Sequence, residues 1–483
     1  MKNKLLLLLF GCFSVSAIAS DIKIEGVEWV SNRDEQTFFA RFTIAWENSW
    51  NNSRNRDAAW VFIKYESAQN KEVTYRHAKI LSTGHRVLTN HINGGPAPLI
   101  EVPDDRIGLF ISPSSTWRGS VRWTIDVALD TSVINSRNFN INDRVLAVYA
   151  IEMVQVPAGA FTVGDADTNA LKHSSLFTSD GSGKFGGLYT ITKEKKPVPV
   201  GTAKNELYYH SPVKLYNGDQ QGPIPAEFPK GVQSFYVMKY ETTQGQYAQF
   251  LNGISAESSQ QRVNFSGKRY YENRGSIRIE NNKYVAASPN RPCNYFSWDD
   301  ACAFADWAGL RPMTELEFEK ACRGTQKPIV HEYPWNTNTK DKLQRIVSLN
   351  DDLVLINGLK ESELNDTNRD RFGASYYWVM DLAGSLWERC ITIGDSTGRA
   401  FTGSHGDGTV SYFGFATNAD WPKGSTETAG FGFRGGGYYI HNQVYQGFNP
   451  HSPIAWRPFG SWPGGNRVNA YGSRFVRTAR VSK

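Results

Sequence analysis

Between residues 21 and 150, apolar and polar side chains alternate in short runs rich in β-branched and aromatic residues. These runs are Asp21–Val30, Thr37–Trp46, Ala58–Tyr65, Arg106–Ile111, Ser120–Leu129 and Arg144–Ile151. Clusters of Asn, Gly, Pro and Ser, the residues of turns, separate them. A period of two broken at this spacing predicts strands, and several such strands in series predict an immunoglobulin-like β-sandwich over residues 21–150. No apolar stripe of helical period interrupts them.

The pattern changes near Met153, which predicts a domain boundary at about residue 150 and a second domain over 151–483. Residues 166–230 are rich in Gly, Lys, Pro and Ser without periodicity and predict long loops. Ser234–Glu241 reads as a strand and Thr243–Gly253 as a helix. Ser297 is placed to cap a helix Trp298–Ala308, and Thr314 with Glu317 forms a capping box for Glu315–Arg323. Short strands and turns follow. The fold class is α+β.

Residues 1–20 carry Lys2 and Lys4, an apolar run Leu5–Val15 and the small-residue stretch Ser16–Ser20, the layout of a signal peptide. The run is shorter than the roughly 18–20 residues a membrane span needs, and no later stretch supplies one. The expectation is an exported protein in the periplasm or at the cell surface. A lipid anchor on Cys12, in the stretch Leu9-Phe10-Gly11-Cys12, is the alternative.

Composition adds exclusions. With 483 residues, 40% of them hydrophobic and 21% charged, the chain is globular and long enough for several domains. A net charge of +6 without a dense basic stripe argues against nucleic acid. Cys12 leaves with the leader; Cys293, Cys302, Cys322 and Cys390 are too few for a disulfide framework and lack zinc spacing. They read as buried core residues or one disulfide between neighbouring elements.

The motifs "VQVPAGAFTVGD", "FYVMKYETTQGQYAQFL", "CNYFSWDDACAFADWAGLRPMTELEFEKACRG", "YPWN", "VMDLAGSLWERC", "GFRGGGYY" and "GSRFVRTAR" follow one another between residues 151 and 480. In this order they resemble the formylglycine-generating enzymes, also called sulfatase-modifying factors. The resemblance implies an irregular C-type-lectin-like module. Its pairing with a β-rich leader domain is similar to exported proteins of Bacteroidetes-type bacteria.

The enzyme of that family oxidises a substrate cysteine to formylglycine, using copper held by two of its own cysteines near the C-terminus; soft thiolates select Cu(I). The segment that corresponds here, Arg434 to Arg474, contains no cysteine. Copper and catalysis are therefore not expected. Iron-dependent relatives draw their histidines mainly from a helical companion domain, whereas His405, His441 and His451 stand isolated in glycine-rich loops.

The resemblance also implies calcium in the turn "DLAGSLWE", with Asp381, Gly384, Leu386 and Glu388 as ligands and Ser385 in place of the family's Asn. Two carboxylates brought together by a glycine turn suit a hard cation. The alternative is that Glu388 pairs with Arg389 or another arginine while Asp381 caps a turn. A second family calcium site, near Asn350, has no identifiable ligands in the divergent loop Asp351–Asp370.

Between Tyr438 and Tyr471 lie Tyr438, Tyr439, Tyr445, Phe448, Trp456, Phe459, Trp462 and Tyr471, without helix or strand period. The resemblance implies that this segment takes the place of the family's substrate groove. Tyr445, Trp456 and Trp462 are candidate anchors for a glycan or extended peptide, with Arg457 and Asn466 as polar contacts; inward packing of the rings is the alternative. The expected function is an exported binding or structural module acting on an envelope protein, peptide or glycan. An active formylglycine-generating or related oxidase and a diversified lectin-like receptor are the competing readings.

Overall fold

A computed structural model describes residues 22–32, 37–69, 72–130, 145–169, 174–210, 216–263, 265, 268–347, 352–424, 429–437 and 451–479. The leader, Tyr445 and His441 lie outside these residues. Among the described residues no helix is long and apolar enough to cross a membrane.

The N-terminal region is built from antiparallel strands: β1 (Lys23–Asn32), β2 (Thr37–Asn51), β3 (Asp57–Gln69), β4 (Glu72–His77), β5 (Arg86–Asn90), β6 (Pro98–Glu101), β7 (Leu109–Pro113), β8 (Trp117–Leu129) and β9 (Leu146–Val156). One sheet has the order β1-β2-β8-β5. Its alternation buries Ala40, Phe42, Ile44 and Trp46 of β2 with Val121, Trp123, Ile125 and Val127 of β8. Ala59, Val61 and Ile63 of β3 close the same core from the other sheet.

That second sheet does not stop at the expected boundary, because residue 150 falls inside β9. Along one edge β9 pairs with β3, from Leu146 opposite Tyr65 to Val154 opposite Asp57. Along the other, Met153–Val156 pairs with the strand Phe235–Met238. This strand pairs with Phe475–Thr478, which pairs in turn with Arg311–Pro312. The result is one eight-stranded sheet shared by both parts of the chain.

β3 is therefore buried on both faces, which explains its unbroken apolar run Ala58–Ile63. Ala58, Trp60 and Phe62 face the core of the C-terminal module. Trp60 Nε1 donates to the carbonyl of Ala308 at 2.8 Å, and the Phe62 ring meets Trp307 edge-on with centroids 5.1 Å apart.

In the C-terminal module the helices Gln244–Asn252, Trp298–Trp307 and Glu315–Arg323 start at capping boxes set by Thr243, Ser297 and Thr314. Helices Ala256–Arg262 and Lys268–Glu272, absent from the sequence expectation, follow the first of these. A three-stranded sheet centres on Trp387–Ile391, with Phe431–Arg434 antiparallel and Tyr471–Gly472 parallel to it. Short strands such as Phe177–Ser179 and Tyr189–Ile191 punctuate the region expected to be loops.

Candidate functional site

The turn that enters the central strand Trp387–Ile391 bends through positive φ at Asp381 (59°), Gly384 (103°) and Ser385 (62°). Gly384 is required by close approach as well as by φ, since a Cβ there would lie 2.7 Å from Cδ2 of His451. The turn brings Asp381 and Glu388 into the interior, and each is gripped by an arginine. Arg345 donates from Nε and Nη2 to Asp381 Oδ1 and Oδ2 at 2.7 and 2.8 Å. Arg474 donates from Nε and Nη2 to Glu388 Oε2 and Oε1, both at 2.6 Å.

A third buried carboxyl, Glu241, completes the group. Its Oε1 accepts the Leu386 N–H at 2.9 Å. Burial, then the charges of Glu388 and Asp381, push the Glu241 carboxyl well above its usual range. Burial also pushes the Glu388 carboxyl up, against the pull of Arg474. Asp381, Gly384, Leu386 and Glu388 thus share one turn, but both carboxylates already have their oxygens engaged. Among the described residues no three His, Cys, Asp or Glu side chains converge as a metal cage. As placed, the residues do not fit calcium.

A second buried ion network gathers around Glu315. Glu315, the first residue of its helix, accepts Arg457 Nε at 2.8 Å and Nη2 at 3.1 Å, Arg434 Nη2 at 2.7 Å and the Ile393 N–H at 2.8 Å. Burial alone would raise its carboxyl; Arg457 and Arg434 outweigh burial and hold it at about 2. Arg457 is 0% exposed and lies 4.3 Å from the centroid of the Tyr209 ring. It is a counterion of the core, which corrects its reading as a surface contact. An acid at a helix start inside the protein needs such a partner.

The other described ligand candidates each have their own packing partners. Trp456 is half-buried and meets His331 edge-on, with centroids 5.3 Å apart. Trp462 is half-buried against Phe433, Phe459 and Tyr471, with Tyr216 stacked on it at 5.5 Å. Asn466 is exposed, and its carbonyl accepts from Arg389 Nη2 at 2.8 Å. Inward packing thus takes Arg457 entirely and much of the two tryptophans.

All four described cysteines, Cys293, Cys302, Cys322 and Cys390, are free and buried. Burial pushes each thiol well above its usual range, so none is a thiolate at neutral pH. His405 Nε2 accepts the Thr478 N–H at 3.0 Å, and burial pushes His451 down to about 4.

Residues 190–478 match the family described as the sulfatase-modifying factor enzyme 1-like domain. The chain belongs to this family. It is 24% identical over 196 residues to the formylglycine-generating enzyme of Mus musculus, covering 35% of this chain and 51% of that protein. It is 31% identical over 107 residues to the formylglycine-generating enzyme of Thermomonospora curvata, covering 22% and 35%. The match to the Streptomyces coelicolor enzyme is 26% over 159 residues, covering 33% and 45%. The chain spans about half the length, or less, of these curated relatives.

Within this sulfatase-modifying-factor module, sequence reasoning missed Glu241, Arg345, Glu315 and Arg434 as members of buried charge clusters. One signal was available: Lys239 and Glu241 interrupt the apolar run that begins at Phe235. Lys239 Nζ bridges Glu152 Oε1 at 2.7 Å and Glu361 Oε1 at 2.6 Å, tying β9 to the module. No sequence signal marked Glu315, whose place in the first turn of its helix equally suits a surface helix.

Proposed function

We propose that this chain is an exported, non-catalytic member of the sulfatase-modifying-factor family that serves as a binding or structural module at the cell envelope. The observation that carries this reading is the cysteine-free sequence from Arg434 to Arg474, where the family resemblance places the copper-holding pair. The burial of all four described cysteines in the core supports it. The basic and apolar leader of residues 1–20 supports export. The N-terminal sheets serve as an immunoglobulin-like sandwich fused edge to edge with a C-type-lectin-like module. In the turn at Asp381–Glu388, arginines take the place that the resemblance gives to calcium. Titration of the purified chain against a chromophoric Cu(I) chelator tests the reading: no stoichiometric Cu(I) uptake is expected, and tight uptake of one equivalent would overturn it.

A further inference from the structure

A cleft of about 790 Å³ opens where β3 and β4 of the N-terminal sheets meet the loop 405–417 of the C-terminal module. That loop is firmly built. Its two ends are tied to one carboxylate, Asp306, which accepts the Asp407 N–H at 2.9 Å on Oδ1 and the Thr417 N–H at 2.7 Å on Oδ2. The buried Lys64 of β3 donates from Nζ to the Gly408 carbonyl at 2.7 Å, and Ser258 Oγ donates to the Tyr412 carbonyl at 2.8 Å. Gly408 approaches β4 so closely that a Cβ would stand 2.2 Å from His77 Nδ1.

A loop anchored at its ends and along its length does not expose its tip for want of order. Yet that tip carries Tyr412, Phe413 and Phe415, which are 64%, 54% and 41% exposed. Tyr412, Tyr75 of β4 and Trp307 are among the residues that line the cleft. Held rings beside a concave space form a binding surface, and sites of this kind favour the junction between structural units.

Polar groups select among occupants. Asp407 and Ser411 line the loop side, and Arg76 and Lys79 line the β4 side. Arg76 is exposed, whereas Lys79 Nζ already donates to the Asp105 carbonyl at 3.0 Å, which leaves Arg76 as the cation offered to an occupant. A pyranose ring offers a flat C–H face to an aromatic ring and hydroxyls around its rim to donors and acceptors of both kinds. A carboxylate on that ring would meet the cationic side.

We propose that this cleft binds an acidic oligosaccharide, with Tyr412 and Tyr75 as stacking faces and Arg76 as partner of a uronate carboxylate. The proposal rests on reading the chain as a binding module and names the ligand class for it. The test is calorimetric titration of the full chain with hexagalacturonate, maltohexaose and hexaglutamate, repeated on Tyr412→Ala and Arg76→Ala, whose exposed side chains leave the fold intact. Hexagalacturonate should bind best. Tyr412→Ala should weaken it about tenfold, and Arg76→Ala should lower its affinity to that of maltohexaose. No saccharide binding, equal binding of hexaglutamate, or unchanged affinity in both variants would overturn the proposal. Copper-dependent oxidation of a cysteine peptide would instead overturn the binding-module reading, leaving the saccharide titration to be judged separately.

Discussion

Arg474 meets Glu388 through two contacts of 2.6 Å, joining the strand Phe475–Thr478 to the central strand of the C-terminal module. The same guanidinium donates from Nη1 to the carbonyls of Met238, Lys239 and Met380. Removing it strands a buried carboxylate, so Arg474→Ala should destabilise the protein by about 3–5 kcal/mol in urea unfolding. The double variant Arg474→Met with Glu388→Leu should recover most of that loss. Equal stability of Arg474→Ala and the parent would mean that this pair does not hold the module. Because guanidiniums already engage both turn carboxylates, EDTA should leave the melting temperature unchanged; a chelator-dependent fall would restore calcium to the turn.

Glu241 sets a pH dependence. Its folded carboxyl titrates well above the unfolded value of 4.5, so folding takes up a proton. Stability from this group is therefore full below that unfolded value and declines as pH rises towards the folded one. Glu241→Gln should be more stable than the parent near neutral pH and should flatten the decline, as read by melting temperatures between about pH 5 and 8. A variant less stable than the parent at neutral pH would show that Glu241 is ionised in the folded protein.

Glu315 works in the opposite direction. Its folded value of about 2 lies below the unfolded 4.5, so its contribution is full above 4.5 and is lost as pH falls towards 2. The shift corresponds to about 3 kcal/mol. Glu315→Gln should lose stability at neutral pH and lose less than the parent on acidification. An acid limb identical to the parent's would remove Glu315 from this role.

The shared sheet predicts unfolding as one unit. Trp60 belongs to β3 yet packs in the core of the C-terminal module, so Trp60→Ala should cost about 3–5 kcal/mol and lower a single transition seen by every probe. Two separate calorimetric transitions would contradict a common core.

The elements governed by local rules were legible in the sequence. Ser297 and Thr314 cap helices where their side chains predicted, the helix expected over Thr243–Gly253 spans Gln244–Asn252, and β8 ends at Leu129 where its alternation ends. Strands β4, β5 and β6 were not, since they are short edge or near-edge segments whose pairing comes from neighbours. The change in composition near Met153 suggests a boundary at residue 150, but β9 carries hydrogen bonds to both parts, and pairing leaves little trace in composition. In the site, the turn around Gly384 was visible in its motif. The arginines that fill it, Arg345 and Arg474, lie 36 and 86 residues from their partners, so only the fold could pair them.

We propose that this family member does not generate formylglycine. This is tested most directly by incubating the purified chain with copper, reductant, oxygen and a sulfatase-type cysteine peptide, and following aldehyde formation by mass spectrometry. No aldehyde above the protein-free control is expected. Copper-dependent aldehyde formation that disappears when Cys322 or Cys390 is replaced by serine would contradict it.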